Sequence, residues 1–350
     1  MIVLIPAHDE AAGIAATVRA VLAQTRPADL VLVVADNCTD DTEQRARDAG
    51  AATLATVGNT DRKAGALNQA LTLLDGTLAD DDAVLVMDAD TLLAPDFIEV
   101  CEAKLTGRVG GVGGLFQGRA AGTVLGLLQR MEYYRYSREP RRNGDRCTVL
   151  TGTGTLFSVR ALRDVRAARR EGRRLPRATG IYDTHSLTED NELTLALGTL
   201  GWDCVSGGVA VVTDVMETVP ALAAQRHRWY LGAMRNVVRY GRRLPWHLRW
   251  TYWRQQAGLV FATLATVYYL ALLAVTLGLT GALTFSLPWL LPSLVMLVER
   301  TASVWSLGPR ARWTAASVVP EQLYTLLLVG IHLGAAVSLA RGSKGGWRPT

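Results

Sequence analysis

From Ala257 to Phe285 the chain has no charged side chain, and between Thr314 and Ala340 it has only Glu321. A soluble helix of such length needs a polar face. The two runs therefore exclude a wholly soluble architecture, and the first is long enough to cross a bilayer core. Cysteine is sparse. Cys38, Cys101, Cys147 and Cys204 are scattered, without the paired spacing of a zinc site or the density of a disulfide scaffold. That usage fits a reducing compartment. The first residues, "MIVLIPAHDE", lack a basic region and their apolar run is short, so they read as a buried strand and not as a signal peptide. The net charge is +5 and the isoelectric point near 9.2. No recognition motif accompanies that charge, and no nucleic-acid partner is expected. Internal repeats are absent.

The basic residues instead gather just before the apolar tail. Arg235, Arg239, Arg242, Arg243, Arg249 and Arg254 interleave with Trp246, Trp250, Tyr252 and Trp253. This is the pattern of an interfacial anchor on the cytoplasmic side of a membrane. Upstream, strand and helix signals alternate. "MIVLIPA", "LVLVVAD" and "AVLVMDAD" read as buried strands; residues 11–24, 40–49 and 63–75 read as helices, and "GGVGGLFQ" as a glycine-rich strand or bend. Such a series predicts an α/β domain with a largely parallel sheet. Ligands bind at the carboxyl ends of such strands, where Asp36, Asp88 and Asp90 fall. Residues 124–138 are amphipathic and aromatic, and suit a membrane surface or a cover for the sheet. Residues 163–177 carry seven arginines and read as an exposed loop or helix.

Several stretches have a chemical reading beside a plainer one. Asp88-Ala-Asp90 can hold Mg²⁺ or Mn²⁺ through carboxylate oxygens, or simply end a strand and cap the next turn. Asp36 opens a turn rich in side-chain acceptors, suited to a base or ribose, or to an ordinary strand-to-helix turn. Lys63 can face a phosphate or solvent. In "TEDNELTLAL", residues 188–197, Thr188 is a good N-cap, and Glu189, Asp190 and Glu192 suit the first turn of a helix. In "QRHRW", residues 225–229, Arg228 can neutralise a diphosphate and Trp229 can face a sugar ring. The plainer reading is a membrane-surface anchor with His227 as a bystander.

Taken in order, Asp36, Lys63-Ala-Gly, Asp88-Ala-Asp90, Gly152-Thr153-Gly-Thr, Thr188-Glu189-Asp190 and Gln225-x-x-Arg228-Trp229 resemble the membrane-bound family 2 glycosyltransferases. These include cellulose, hyaluronan, chitin-oligosaccharide and poly-N-acetylglucosamine synthases. The resemblance implies a GT-A fold, with a mainly parallel mixed sheet followed by interfacial and transmembrane helices. It also implies inverting, metal-dependent transfer from a nucleotide-diphosphate sugar, UDP-glucose or UDP-N-acetylglucosamine being the first expectations. Asp36 then matches the nucleotide-binding Asp, and Lys63 lies in the donor-site segment. Asp88 and Asp90 match the metal motif, with Asp88 also facing substrate. Asp190 matches the catalytic base, with Glu189 orienting the site or acceptor. Gly152 and Thr153 lie in the acceptor-lining stretch. Gln225, Arg228 and Trp229 match the motif that holds diphosphate and acceptor.

The expected division is a GT-A catalytic domain over 1–240, an interfacial segment over 241–256, a membrane domain over 257–340 and a basic tail over 341–350. The membrane domain is expected to hold about three apolar segments, near 257–283, 286–305 and 315–340. The chain departs from the synthases in lacking N-terminal transmembrane helices ahead of the catalytic domain and in having few segments for a polymer channel. Transfer of one or a few sugars to a glycan, lipid or protein-linked hydroxyl is therefore expected at the cytoplasmic face of the plasma membrane. The alternatives are a processive synthase acting as a homo-oligomer and a non-catalytic nucleotide-sugar-binding module.

Overall fold

Both faces of a central parallel strand are covered, so its residues are apolar throughout. The first strand, β1 (Ile2–Ala7), is buried along its whole length. In the computed structural model, which describes residues 1–138, 140, 144–281 and 290–342, β2 (Leu30–Ala35) and β4 (Ala83–Val86) pair with it in parallel, one on each side. β3 (Ala52–Ala55) extends the sheet beyond β2, also in parallel. β5 (Leu92–Leu93), β6 (Val109–Gly118), β7 (Thr155–Ser158) and β8 (Asp203–Thr213) complete the order β3-β2-β1-β4-β7-β6-β8-β5. β7 is antiparallel to β4 and β6, while β6 and β8 run parallel. The expected alternation is present: α1 (Ile14–Leu22), α2 (Thr42–Asp48), α3 (Arg62–Leu74) and α4 (Phe97–Lys104) follow their strands. Ile14, Val18 and Val21 of α1 and Phe97, Ile98 and Cys101 of α4 share one buried core with Val3, Ile5, Val33 and Leu85 of the sheet.

The glycine-rich stretch is strand β6, and its composition answers a close approach. A Cβ at Gly114 would lie 2.0 Å from Val211 Cγ2 and 2.8 Å from Phe97 Cε2. Any side chain there would push β6 away from its neighbours.

Helix α5 is Val124–Tyr136, α6 Val159–Glu171, α7 Glu189–Leu200 and α8 Val219–Tyr240. The arginine-rich stretch begins within α6 and is not wholly exposed. Arg169 is fully buried. Its guanidinium grips Glu192 on α7 in a fork, at 3.0 and 2.5 Å, and donates through Nε to the Ile181 carbonyl. The Tyr240 hydroxyl donates to Glu192 Oε1 at 2.5 Å. Glu192 is thus not a solvated first-turn carboxylate but half of a buried pair. Breaking such a pair strands the other charge. Arg169→Met is expected to destabilise the chain by about 3–5 kcal/mol, with much of the loss recovered when Glu192→Leu is added. Urea unfolding of detergent-solubilised protein followed by fluorescence measures this; a single variant as stable as the parent would refute it.

The chain forms two compact units. The first contains residues 1–119, 136–215 and 235–245, and so the whole sheet. The second contains residues 120–135, 216–234 and 246–350, with α9 (Trp246–Thr280), α10 (Leu290–Ser303), α11 (Pro309–Ala316) and α12 (Val319–Ala340). Its core joins Leu128 and Met131 of α5 to Leu222, Val304, Ala311, Ala315 and Tyr324. Leu128 and Met131 on the amphipathic face of α5 are therefore buried against other helices of this unit. Glu321, the one acid of the last apolar run, is buried between Arg135, at 2.8 Å, and Arg300. Two helices, α9 and α12, are long and apolar enough to cross a membrane. Of the middle apolar segment, the described part is α10 with the turn after it. Residues 282–289, which end the first expected segment and open the second, and residues 343–350 of the basic tail lie outside the described residues.

Candidate active site

The parallel pairing of β1 with β2 and β4 puts the carboxyl ends of all three strands on one edge of the sheet. Asp36 leaves β2 there, and Asp88 and Asp90 follow β4 on the same edge. β7 enters antiparallel to β4, with Thr155 opposite Val86. The loop before β7 must therefore pass over the end of β4, and this is where Gly152 lies. A Cβ on Gly152 would sit 2.7 Å from Lys63 Nζ and 3.5 Å from Asp88 Oδ2. With no side chain at that residue, the loop comes close to the lysine's ammonium without displacing it.

Lys63, in the first turn of α3, reaches across this opening. Its ammonium lies 2.5 Å from Asp88 Oδ1 and 3.3 Å from Glu189 Oε1. Burial opposes that charge, but Asp88, Glu189 and Asp190 outweigh it and raise the lysine's pKa. Of the two sequence readings of Lys63, the solvated one does not hold. Asp190 completes the cluster from the first turn of α7. Its Oδ2 accepts from the Gly152 N–H at 3.1 Å and its Oδ1 from the Asn191 N–H at 2.7 Å. Burial, with the like charge of Glu189, pushes the Asp190 carboxyl up to about 6, against the opposing pull of Lys63 and the two N–H groups. A small cavity between these elements is lined by Lys63, Thr151, Gly152, Tyr182, Glu189 and Asp190. Thr153 does not line it; its hydroxyl lies 2.8 Å from that of Thr151, which does.

Asp36 is buried, and its Oδ1 accepts from Asn37, Thr56 and Asn59 side chains at 3.0, 2.9 and 2.7 Å. Thr188 does not cap α7 through its side chain, as its residue type suggests. Its hydroxyl is engaged by Asn236 instead, at 3.2 Å. The Gln225-x-x-Arg228-Trp229 motif is on α8, in the second unit. Among the described residues of that unit, Arg226 is the buried arginine. It pairs with Glu132 at 2.8 Å and lies over the rings of Trp229, at 4.6 Å, and Tyr133, at 5.3 Å. One face of Trp229 is thus already covered by a cation. His227 contacts the Ser338 hydroxyl at 3.1 Å.

Two carboxylates join the metal-motif region that the sequence reading did not single out. Burial, then the charges of Asp90, Asp88 and Asp214, push Glu10 up to about 7. Burial, Asp88 and Asp214 push Asp90 up to about 6. Asp214 is held by Arg119 at 2.7 Å, and Arg119 also donates to the Asp90 carbonyl at 3.1 Å. Asp214 directly follows β8, so the strand-end rule would have found it once "VAVVTD" was read as a strand. A set of carboxylates raising one another's pKa is a donor set that a hard divalent cation would relieve. Asp88 and Asp90 could hold such an ion.

The sequence profile of glycosyltransferase-like family 2 matches residues 1–232. No curated protein matches the chain significantly. Among solved structures, the chain is similar to the mannosyltransferase PcManGT from Pyrobaculum calidifontis in complex with GDP-Man and Mn²⁺, at 19% identity and a TM-score of 0.61 over 95% of this chain and 86% of that one. The glucosyl-3-phosphoglycerate synthase of Mycobacterium tuberculosis, in complex with Mn²⁺, UDP and phosphoglyceric acid, aligns at 21% identity and a TM-score of 0.44 over 70% of this chain and 78% of that one.

Proposed function

The chain belongs to glycosyltransferase-like family 2 and has the GT-A fold of its solved relatives, and on that basis we propose that it moves a sugar, with inversion, from a nucleotide-diphosphate donor to a hydroxyl acceptor at the cytoplasmic face of a membrane. UDP-glucose and UDP-N-acetylglucosamine are the donors proposed, and a glycan, lipid or protein-linked hydroxyl the acceptor. The observation that carries this reading is the joining of Asp88, Lys63, Gly152 and Asp190 in one cleft. In the reaction the acceptor oxygen bonds to the sugar's anomeric carbon as the bond to the diphosphate breaks. The acceptor's proton goes to Asp190. Two N–H bonds fix the orientation of that carboxylate, and its raised pKa makes it a better base than a solvated one. Mg²⁺ or Mn²⁺ held by Asp88 and Asp90 would supply charge stabilisation for the departing diphosphate. Lys63 adds a fixed positive charge between the metal-motif side and the Glu189 side of the cleft. Asp36 is assigned to the nucleotide, and Gly152 and Thr153 to the acceptor side. Gln225, Arg228 and Trp229 are assigned to diphosphate and acceptor on the family resemblance alone.

A panel of UDP- and GDP-sugars, each offered with Mn²⁺ to the detergent-purified protein and its membrane extract, tests the function through release of free nucleoside diphosphate. One donor is expected to stand out. Release from none would remove the proposal.

The base has a pH signature. Asp190 acts only when deprotonated, so turnover at saturating metal and donor should fall as pH drops through about 6. Bound metal, by neutralising the carboxylates that push them up, would keep both Asp90 and Glu10 ionised over the same range, which leaves the acid limb to Asp190. A pH–rate profile flat from 5 to 8, on the order of the range where a carboxylate raised this far titrates, would contradict the assignment.

Membrane insertion is proposed for α9 and α12. Trp246, Trp250 and Trp253 at the start of α9 are exposed and lie among arginines, as interfacial anchors do. The 35 residues of α9 span about 50 Å at 1.5 Å per residue, so its aromatic first turns can lie in the interface while the rest crosses. Alkaline carbonate washing should leave the chain with the membranes; its appearance in the supernatant would refute integral insertion.

A further inference from the structure

We propose that Asn236 is a positioning residue for the catalytic base: it anchors the first turn of α7 on both sides of Asp190 and so fixes the base's carboxylate against Gly152. This rests on Asp190 being the base.

Asn236 is 2% exposed and carries no charge. Its Nδ2 donates to Thr188 Oγ1 at 3.2 Å and to Asn191 Oδ1 at 3.0 Å, with the Thr188 carbonyl at 3.4 Å. Its Oδ1 lies 3.0 Å from the Ser186 hydroxyl. One amide therefore holds the residue two before Asp190 and the residue just after it. Tyr240, one turn further along α8, donates its hydroxyl directly to Glu192, the partner of Arg169. Residues four apart lie on one helix face, so Asn236 and Tyr240 grip the same turn of α7 from one side. Neither bond to the Asp190 carboxylate comes from its own side chain's packing. One comes from the N–H of Asn191, in the same turn, and the other from that of Gly152, on the loop before β7, and the second lengthens if the turn shifts. The usual device for fixing such a turn, a side-chain N-cap, is missing, because the Thr188 hydroxyl is turned to Asn236. A displacement of about 1 Å at a reacting group can cost about a hundredfold in rate, so a residue that never meets substrate can still control turnover.

The test compares Asn236→Ala with the parent in turnover, nucleoside-diphosphate affinity and pH profile. The expected result is a turnover loss of at least about tenfold, with affinity within about threefold, since the donor side of the cleft is untouched. The acid limb should also move to higher pH. The charged and titratable groups around Asp190, namely Glu189, Lys63 and Tyr182, are unchanged by the substitution, whereas its bond from the Gly152 N–H weakens. Asn236→Ser, which keeps one donor, should fall between parent and alanine variant, and carries the test if the alanine variant does not fold. Turnover within twofold of the parent, or a loss shared equally by affinity and Tm with no shift of the limb, would overturn the inference. Asp190→Asn measured alongside separates the failures. If that variant is inactive while Asn236→Ala is normal, only the positioning inference falls. If that variant is active, the base assignment itself is wrong.

Discussion

Replacing Asp190 by Asn is expected to cut turnover at least about a hundredfold, the lower end for loss of a general base, with nucleoside-diphosphate affinity kept within about threefold. The substitution preserves size. The amide oxygen can still accept from Gly152 or Asn191, so the loop before β7 and the first turn of α7 keep at least one of their bonds. What is lost is the ability to take a proton. The separation of rate from affinity is the informative part, because Asp190 belongs to the α7 side of the cleft while Asp36 and Asp88 leave the ends of parallel strands. Steady-state kinetics and calorimetric titration with nucleoside diphosphate check it. Near-normal turnover would remove Asp190 from the mechanism, and a parallel loss of affinity would make it a donor-binding residue.

Chelation is expected to abolish turnover, by more than about a hundredfold, with recovery on adding Mn²⁺ or Mg²⁺. Glu10 and Asp90 are both pushed up by burial and by their acidic neighbours. Without a cation that region is crowded with negative charge, and a donor diphosphate would add more. Asp90→Asn should raise the Mn²⁺ concentration needed for half-maximal activity at least about tenfold. The Lys63–Asp88 pair is a ready competitor for the metal at Asp88, so Asp90, which makes no ion pair among the described residues, is the more sensitive position. Full activity of metal-free protein in excess EDTA would contradict this account.

The positions of the candidate site's residues on simple strand ends were legible in the sequence. β1, β2 and β4 are continuous apolar runs, and a run that stops at an acid marks both the strand and its ligand-binding end. Asp36, Asp88 and Asp90 followed directly. Asp190 was visible as an acid at a helix start, but its role came only with the family resemblance, since a helix N-terminus attracts acids anyway. Residues whose meaning depends on a partner far along the chain were not legible. Glu192 looks like another first-turn acid, and only the fold brings Arg169 to it across 23 residues. Arg169 itself stands in an arginine-rich stretch that reads as solvated. Asn236 is 48 residues from Thr188, and nothing local marks it. Arg226 and Arg228 are indistinguishable by type; burial against Glu132 and Trp229 tells them apart.

The proposed chemistry turns on a single displacement, with Asp190 taking the acceptor's proton on the face opposite the leaving diphosphate. That geometry fixes the stereochemistry. Proton NMR of the product, formed from the α-linked nucleotide sugar that the donor panel selects, reads the anomeric configuration directly. A β-linked product is expected. An α-linked product would require a second displacement or a different base, and would contradict the mechanism.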